Sequence, residues 1–349
     1  MNHLTLIAGP CSAESEQQVV QTAQALKNLG CSLFRAGVWK PRTQPGHFEG
    51  FGEQALAWLR LAKQETNMKV ATEVALPQHV EQALRYGIDV LWIGARTTAN
   101  PFAVQQIADA LEGVDIPVMV KNPISPDLAL WLGALERLQK AGVKQVMAIH
   151  RGFSVSEHSP YRNEPLWHLP IELRRLQTDI PLICDPSHMG GKPMFIQSLA
   201  QQALDLDYDG LMIECHPNPV AALSDAEQQI TPTELGQLLQ ALTVREKNDP
   251  MNGLEQLRRE IDQCDQQLIE ALAQRMHIAQ EIASYKEKKN LAVFQTNRYK
   301  EVLRQRMDAA EKVGIEPQFT EKLFQLIHDE SVRQQLNVIN RKEKKTPRD

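Results

Sequence analysis

The sequence predicts an α/β protein, a (β/α)8 TIM barrel followed by a smaller all-α three-helix domain that dimerises. Three observations carry this expectation. Short β-rich runs alternate with longer amphipathic stretches through about the first 240 residues, the runs are nearly unbroken in apolar residues, as in PVMVK and LMIEC, and no strand pattern survives beyond Gly253. Continuous apolar strands suit a parallel sheet buried on both faces, and eight β-then-α units suit a closed barrel. A doubly wound open sheet competes with that architecture, but no Gly-x-Gly-x-x-Gly turn follows the first strand.

The eight strands are expected at 4–8, 33–38, 69–74, 90–94, 117–121, 145–150, 181–184 and 210–214. Helix-like segments follow them, among others at 14–29, 52–65, 126–140 and 194–206. The barrel domain is therefore placed at 1–242. Residues 243–252 are polar and run into Pro250, as a linker does; 253–340 form the helical domain, and the charged run 341–349 a disordered tail. Inside the helical domain, helices are expected over 254–288, 296–312 and 317–337, the last after a turn at Gly314. The first would be about 50 Å long, too long for two shorter partners of its own chain to cover, so it is expected to pair with a second copy.

Composition excludes several classes. The 349 residues carry a formal net charge of -5 with a pI near 6.1, so nothing attracts the whole molecule to nucleic acid or to an anionic membrane. No run approaches a membrane span, and the start MNHLTLIAGP lacks the basic region and apolar core of a signal peptide, which makes the cytoplasm the expected compartment. Five scattered cysteines, an odd number, argue against a disulfide framework and leave thiols for packing or metal.

Chemistry in such a barrel gathers at the C-terminal strand ends. There the chain places Gly9-Pro10-Cys11-Ser12, then Arg35 through Lys40-Pro41-Arg42-Thr43, then Glu73 and Gly94-Ala95-Arg96-Thr97. Lys121-Asn122-Pro123, His150-Arg151-Gly152, Asp185-Pro186-Ser187-His188 and Glu214-Cys215-His216-Pro217 close the remaining strands, with Asp225 in the loop beyond. Lys-Pro-Arg-Thr by itself is also an ordinary basic turn, and any one of these cations also suits a surface ion pair. Six cations at one end of successive strands (Arg35, Lys40, Arg42, Arg96, Lys121 and Arg151) instead require an anionic ligand with more than one phosphate or carboxylate to offset their repulsion. Cys11, His188, Glu214 and Asp225 form a second set. Thiolate, imidazole and carboxylates together suit a divalent ion such as Mn, Fe, Co or Zn better than Mg or Ca, although singly Cys11 also reads as a core thiol and His188 as a helix cap.

The segments GPCSAES, KPRT, IGART, VKNP, HRG, CDPSHMGG and IECHPNP, in this order, closely resemble the class I 3-deoxy-D-arabino-heptulosonate-7-phosphate (DAHP) synthases, in particular their smaller type Iβ subgroup. The resemblance implies condensation of phosphoenolpyruvate with erythrose 4-phosphate and release of phosphate. It implies Cys11, His188, Glu214 and Asp225 as ligands of a divalent metal, Mn²⁺ first, with Fe²⁺, Co²⁺ or Zn²⁺ as alternatives. Arg96, Lys121 and Arg151, helped by Arg35, Lys40 and Glu73, match the phosphoenolpyruvate contacts, and Arg42 and Thr43 match those of erythrose 4-phosphate. Lys40 is the expected proton donor to the developing alkoxide. A sister enzyme, 3-deoxy-D-manno-octulosonate-8-phosphate synthase, carries a KANRSS-like segment where this chain has KPRT, which favours the four-carbon sugar.

Steps of four and three along the first long helix pick out Leu254, Arg258, Ile261, Asp265, Leu268, Leu272, Arg275, Ala279, Ile282 and Lys286. That apolar stripe with inserted cations also suits a coiled-coil seam with charges at its rim, but a cation as central as Arg275 needs a carboxylate or a bound anion. The segment 257–335 resembles the AroQ class of chorismate mutases. The resemblance implies rearrangement of chorismate to prephenate, with Arg258, Arg275, Lys286, Arg298, Ser331 and Gln335 binding the substrate. Lys286 and Gln335 would stabilise charge on the breaking ether oxygen, and Arg258 would come from the partner subunit of a homodimer. Tyr299 and Gln295 stand where family members commonly carry acidic residues near the substrate hydroxyl, so Gln295 or the backbone is expected to serve there and the mutase to be weaker. The rival reading keeps the barrel active and makes the helical half a ligand-sensing and dimerisation module. Because the barrel begins near residue 4, no N-terminal regulatory domain is expected, and feedback by chorismate or prephenate is expected to enter through the helical half.

Overall fold

The computed structural model describes residues 4–40, 46, 48–155, 159–245 and 254–343, with side chains through residue 340. It divides into two units, Met1–Lys247 and Asn248–Asp349. In the first, eight parallel strands close into a barrel in sequence order, the eighth pairing the first. They are β1 (Thr5–Gly9), β2 (Leu33–Arg35), β3 (Lys69–Val74), β4 (Val90–Ile93), β5 (Val118–Lys121), β6 (Val146–His150), β7 (Leu182–Cys184) and β8 (Gly210–Glu214).

Around them stand α1 (Glu16–Lys27), α2 (Glu53–Thr66), α3 (Pro77–Arg85), α4 (Ala95–Thr98), α5 (Pro101–Ala110), α6 (Leu128–Lys140), α7 (His168–Leu176), α8 (Pro186–Gly190), α9 (Pro193–Asp205) and α10 (Pro232–Ala241). Side-chain caps set several starts: Ser15 accepts from Gln18 N at α1, Asp127 from Leu130 N at α6, and Thr231 and Glu234 form a reciprocal capping box at α10. The one-turn helices α4 and α8 were not expected. They carry Arg96 and His188.

Strand β2 is three residues long where six were expected. Beyond Arg35 the ladder breaks because Gly37 N turns to Cys11 O and Val38 N to the Thr72 hydroxyl. The chain leaves the ladder there.

Alternation along the strands builds the barrel interior. Ile7, Leu33, Ala71, Trp92, Met119, Ile149, Ile183 and Met212, one from each strand, form a dry plug. Two residues further along each strand, on the same inner side, come Gly9, Arg35, Glu73, Gly94, Lys121, Arg151, Asp185 and Glu214. Thus the layer above the plug is polar at six of eight strands. The two glycines make room, since a Cβ on Gly94 would collide with Glu73 Oε1 and one on Gly9 with the Arg35 carbonyl.

The second unit contains α11 (Leu254–Lys288), α12 (Thr296–Glu311) and α13 (Pro317–Glu343). Helix α13 runs on past 337 to Glu343, because no glycine or proline interrupts that stretch. Among the described residues of this unit Ala279, Ala283, Ala310, Thr320, Ser331 and Gln335 are buried, while Ile261, Leu268 and Ile269 on α11 each leave 61% of their surface exposed. Among the described residues no helix is long and apolar enough to cross a membrane.

Candidate active sites

At the barrel mouth the polar layer is internally wired. Arg35 Nη1 donates to Glu214 Oε1 at 2.7 Å, the two side chains being 1% and 0% exposed. The Arg35 guanidinium lies 4.8 Å from the Trp92 ring centroid, and Trp92 Nε1 donates to Glu73 at 3.2 Å. Lys121 Nζ donates to Asp185 Oδ2 at 2.8 Å. Lys40 donates from above to both Cys11 Sγ and Cys11 O at 3.0 Å. Arg35 with Glu214 and Lys121 with Asp185 are therefore each paired with an opposite charge, the condition for burying them.

Cys11, Glu214 and Asp225 offer donor atoms within 4.8 Å of one another. Cys11 Sγ is 3.4 Å from Asp225 Oδ2, and His188 Nε2 is 3.6 Å from Glu214 Oε1 and 4.0 Å from Asp225 Oδ2. Metal–ligand bonds of about 2.0–2.3 Å place neighbouring donors about 3–4 Å apart, so the spacing of Cys11, Glu214 and Asp225 suits a divalent ion, and His188 Nε2 stands beside the two carboxylates. His188 is oriented for it: Nδ1 lies 2.8 Å from Asp185 Oδ2, which leaves Nε2 toward the carboxylates. Burial and the Glu214 charge push the Cys11 thiol up to about 12, with Lys40 only partly offsetting them. Burial also opposes ionisation of Asp225, but His188, Arg162 and Lys40 hold its carboxyl far below the usual range.

Two residues outside the expected set complete this shell. Arg162, on the loop between β6 and α7, donates to Asp225 Oδ1 at 3.1 Å and to Gln228 Oε1 at 2.6 Å, and Gln228 passes the contact on to Glu214 Oε2 at 2.6 Å. Asp225 itself sits in the left-handed region at φ 47°, which Asp and Asn enter more readily than other non-glycine residues.

Arg151 is held by Asn122 Oδ1 at its amide (2.7 Å) and by Asn163 Oδ1 at its guanidinium (2.7 Å), and Asn163 Nδ2 in turn donates to His188 O. Burial, with the neighbouring charges of Arg162 and Arg96, lowers Arg151 to about 10 although Asp185 pulls the other way. The charges of Arg151, Arg162 and Arg96 act on one another on this side, an arrangement that suits an anionic ligand. Arg96 is exposed at the mouth on α4. Arg42 and Thr43 lie outside the described residues. Asp185 was within reach of sequence reasoning through the strand period; Arg162, Asn163 and Gln228 come from irregular loops that carry no such signal.

The helical unit brings together part of its expected set. Arg275 donates to Ser331 Oγ and, at 3.2 Å, to Ile327 O; Lys286 donates to Val293 O at 2.6 Å; Gln335 is buried with its Oε1 unpaired. Burial lowers both Arg275 and Lys286, and the charge of Arg306 adds to the effect at Arg275. Arg258 and Arg298 instead pair with Glu255 and Glu301 on their own helices, each at 2.8 Å. Seventeen helical residues separate Arg258 from Arg275, about 25 Å along the axis, so one chain does not bring both to one site. Gln295 is exposed at the start of α12, and Tyr299 lies against His328.

Residues 2–248 match the DAHP synthetase I family, and residues 257–336 match chorismate mutase type II. A phospho-2-dehydro-3-deoxyheptonate aldolase of Thermotoga maritima is 31% identical over 228 residues, 65% of this chain and 65% of the relative. The chain thus spans just under two thirds of that protein's length. A 2-dehydro-3-deoxyphosphooctonate aldolase of Acidithiobacillus ferrooxidans is 29% identical over 281 residues, 72% of this chain and 94% of the relative. The crystal structure of a Thermotoga maritima DAHP synthase superposes with a TM-score of 0.61 at 30% identity, covering 68% of this chain and 67% of that one.

Proposed function

Because the chain belongs to the DAHP synthetase I family and carries a chorismate mutase type II domain behind its barrel, we propose that it is a bifunctional enzyme of the shikimate pathway. The barrel condenses phosphoenolpyruvate with erythrose 4-phosphate and one water: C3 of the enol phosphate bonds to the aldehyde carbon, water adds at C2 as inorganic phosphate leaves that carbon, and 3-deoxy-D-arabino-heptulosonate 7-phosphate results. The helical unit rearranges chorismate to prephenate. The observation that carries the first reading is the polar layer above the barrel plug, in which Arg35, Lys121 and Arg151 stand beside the Cys11–His188–Glu214–Asp225 donor set.

Arg96, Lys121 and Arg151, with Arg35 and Lys40, hold the phosphate and carboxylate of phosphoenolpyruvate so that its reacting carbon faces the aldehyde. Cys11, His188, Glu214 and Asp225 would hold a divalent metal, Mn²⁺ in the first place, which when bound would polarise the aldehyde oxygen. Lys40 donates its proton to the alkoxide as it forms; burial works against its charge, but Cys11, Glu73 and Glu214 keep the ammonium protonated. Arg42 and Thr43 take the phosphate of the sugar. In the helical unit Arg275 and Arg258 of a second copy bind the two carboxylates of chorismate, and Lys286 and Gln335 face the breaking ether bond.

One observation favours a second reading of the barrel, namely the octulosonate relatives aligned over 94% of their length. Offering erythrose 4-phosphate and arabinose 5-phosphate against phosphoenolpyruvate decides between them, and a higher kcat/KM for the five-carbon sugar overturns the assignment. For the helical unit, a chorismate-disappearance assay decides between mutase and mere sensor: wild-type protein without turnover would sink the bifunctional reading.

We further propose a homodimer through the exposed face of α11, cytoplasmic location, for which the five free cysteines speak, and feedback of prephenate or chorismate on the condensation. Such coupling requires that the ligand bind two states of the enzyme unequally. Arg275→Ala should then relieve inhibition by prephenate.

A further inference from the structure

Among the described residues of the helical unit, two buried polar atoms have no hydrogen-bond partner within the protein, Gln335 Oε1 and His328 Nε2. Both belong to α13. With Ser331 between them they follow the spacing i, i+3, i+7, which puts all three on one helix face. Arg275 of α11 meets that face at Ser331 and at the Ile327 carbonyl. Buried polar atoms are seldom left unpaired, and two on the face that also carries a half-buried arginine mark a ligand-binding surface.

The imidazole of His328 is held in place by aromatic neighbours. Its centroid lies 4.3 Å from the Tyr299 ring, at 33° between planes, and 5.9 Å from the Phe294 ring. Burial lowers its basicity first, then Arg275 and Lys286 add to this, and only Asp329 opposes them. The ring is therefore neutral near pH 7 and offers one nitrogen that donates or accepts according to tautomer.

Resting on the mutase reading, we propose that His328 contacts the substrate, its Nε2 hydrogen-bonding the ring hydroxyl of chorismate while Tyr299, packed at a tilt against the imidazole, positions it. The chemistry divides the substrate's polar groups. Arg275 and Lys286 are donors only and suit carboxylates, whereas a hydroxyl both donates and accepts and suits a neutral imidazole. Gln295 and Tyr299 carry no carboxylate to offer that hydroxyl; Gln295 is exposed and Tyr299 lies against His328. A site built around such a hydrogen bond discriminates strongly against ligands that lack the hydroxyl.

Full-length wild type, His328→Gln and His328→Phe test this by two readouts, chorismate turnover and prephenate binding by calorimetry. His328→Phe is expected to raise KM for chorismate and weaken prephenate binding at least about tenfold, by loss of one buried hydrogen bond. His328→Gln, whose amide extends toward the position of Nε2, is expected to stay within about threefold of wild type. Wild-type binding by His328→Phe, or equal losses in both variants, would overturn the assignment. Should His328→Phe lose its helical circular-dichroism signal, His328→Leu takes its place. Wild-type protein that binds prephenate without turning chorismate over refutes the mutase reading while still reporting on His328; absence of both overturns both.

Discussion

Lys40 Nζ stands 3.0 Å from Cys11 Sγ, so the proposed proton donor and the proposed thiolate ligand are hydrogen-bond partners across 29 positions of sequence. Lys40→Met removes the donor without removing any of the four proposed ligand side chains. The condensation kcat should fall by about 10²–10⁴. Mn²⁺ affinity, read by electron paramagnetic resonance of the free ion, should change far less; an equal loss in both would make Lys40 a structural partner of Cys11 only.

Arg162 braces Asp225 directly and Glu214 through Gln228. Loss of such support to metal ligands costs about 10–100-fold in metal affinity. Arg162→Met is expected to show that loss in a Mn²⁺ titration, with activity recovering at saturating metal.

His150 ties the barrel to pH. Burial pushes its imidazole down to about 3, and its Nδ1 pairs with Tyr208 Oη at 2.8 Å. Below pH ~6.5 the unfolded chain takes up a proton that the folded barrel refuses, so stability falls as pH falls, by about 2 kcal/mol between pH 6.5 and 5. All five tryptophans (Trp39, Trp58, Trp92, Trp131 and Trp167) lie in the barrel unit. Urea unfolding followed by their fluorescence reads this unit alone, and His150→Gln should flatten the slope.

Arg275→Ala should lower the mutase kcat/KM by about 10²–10³, the usual loss on removing one oriented donor from a site of developing charge. The condensation measured on the same preparation should be unchanged without prephenate. A parallel loss of both activities would point to misfolding instead.

Leu268 leaves 61% of its surface exposed on α11, and Arg258 stands about 25 Å from Arg275 along the same helix. Leu268→Glu is expected to convert a dimer to a monomer in sedimentation velocity and to abolish mutase turnover with it. Turnover by a monomer would remove the need for Arg258 of a second copy.

Much of the barrel was legible in the chain. The eight strands lie within one to three residues of the expected bounds, and the period of two already points Arg35, Glu73, Lys121, Arg151, Asp185 and Glu214 to one inner layer. Asp185 is legible at its strand end, but its role is not, because only the partner Lys121, 64 positions away, shows what it does. His328 carried no signal at all, since a histidine on an apolar helix face reads as core until its unpaired nitrogen is seen.

The amino-acid sequence by itself determined the alternation that builds the barrel, the cations and soft donors at its strand ends, and the helical stripe with Arg275 and Lys286. These are local periodicities, set by backbone geometry within a few residues. Tertiary structure alone decided the pairings: Arg35 with Glu214 across 179 positions, Lys40 with Cys11, Arg162 with Asp225, and His328 with Tyr299. Barrel closure and helix packing bring those groups within a hydrogen bond or a ring contact, and which groups meet depends on how loops of many lengths close, a global property that no local pattern encodes.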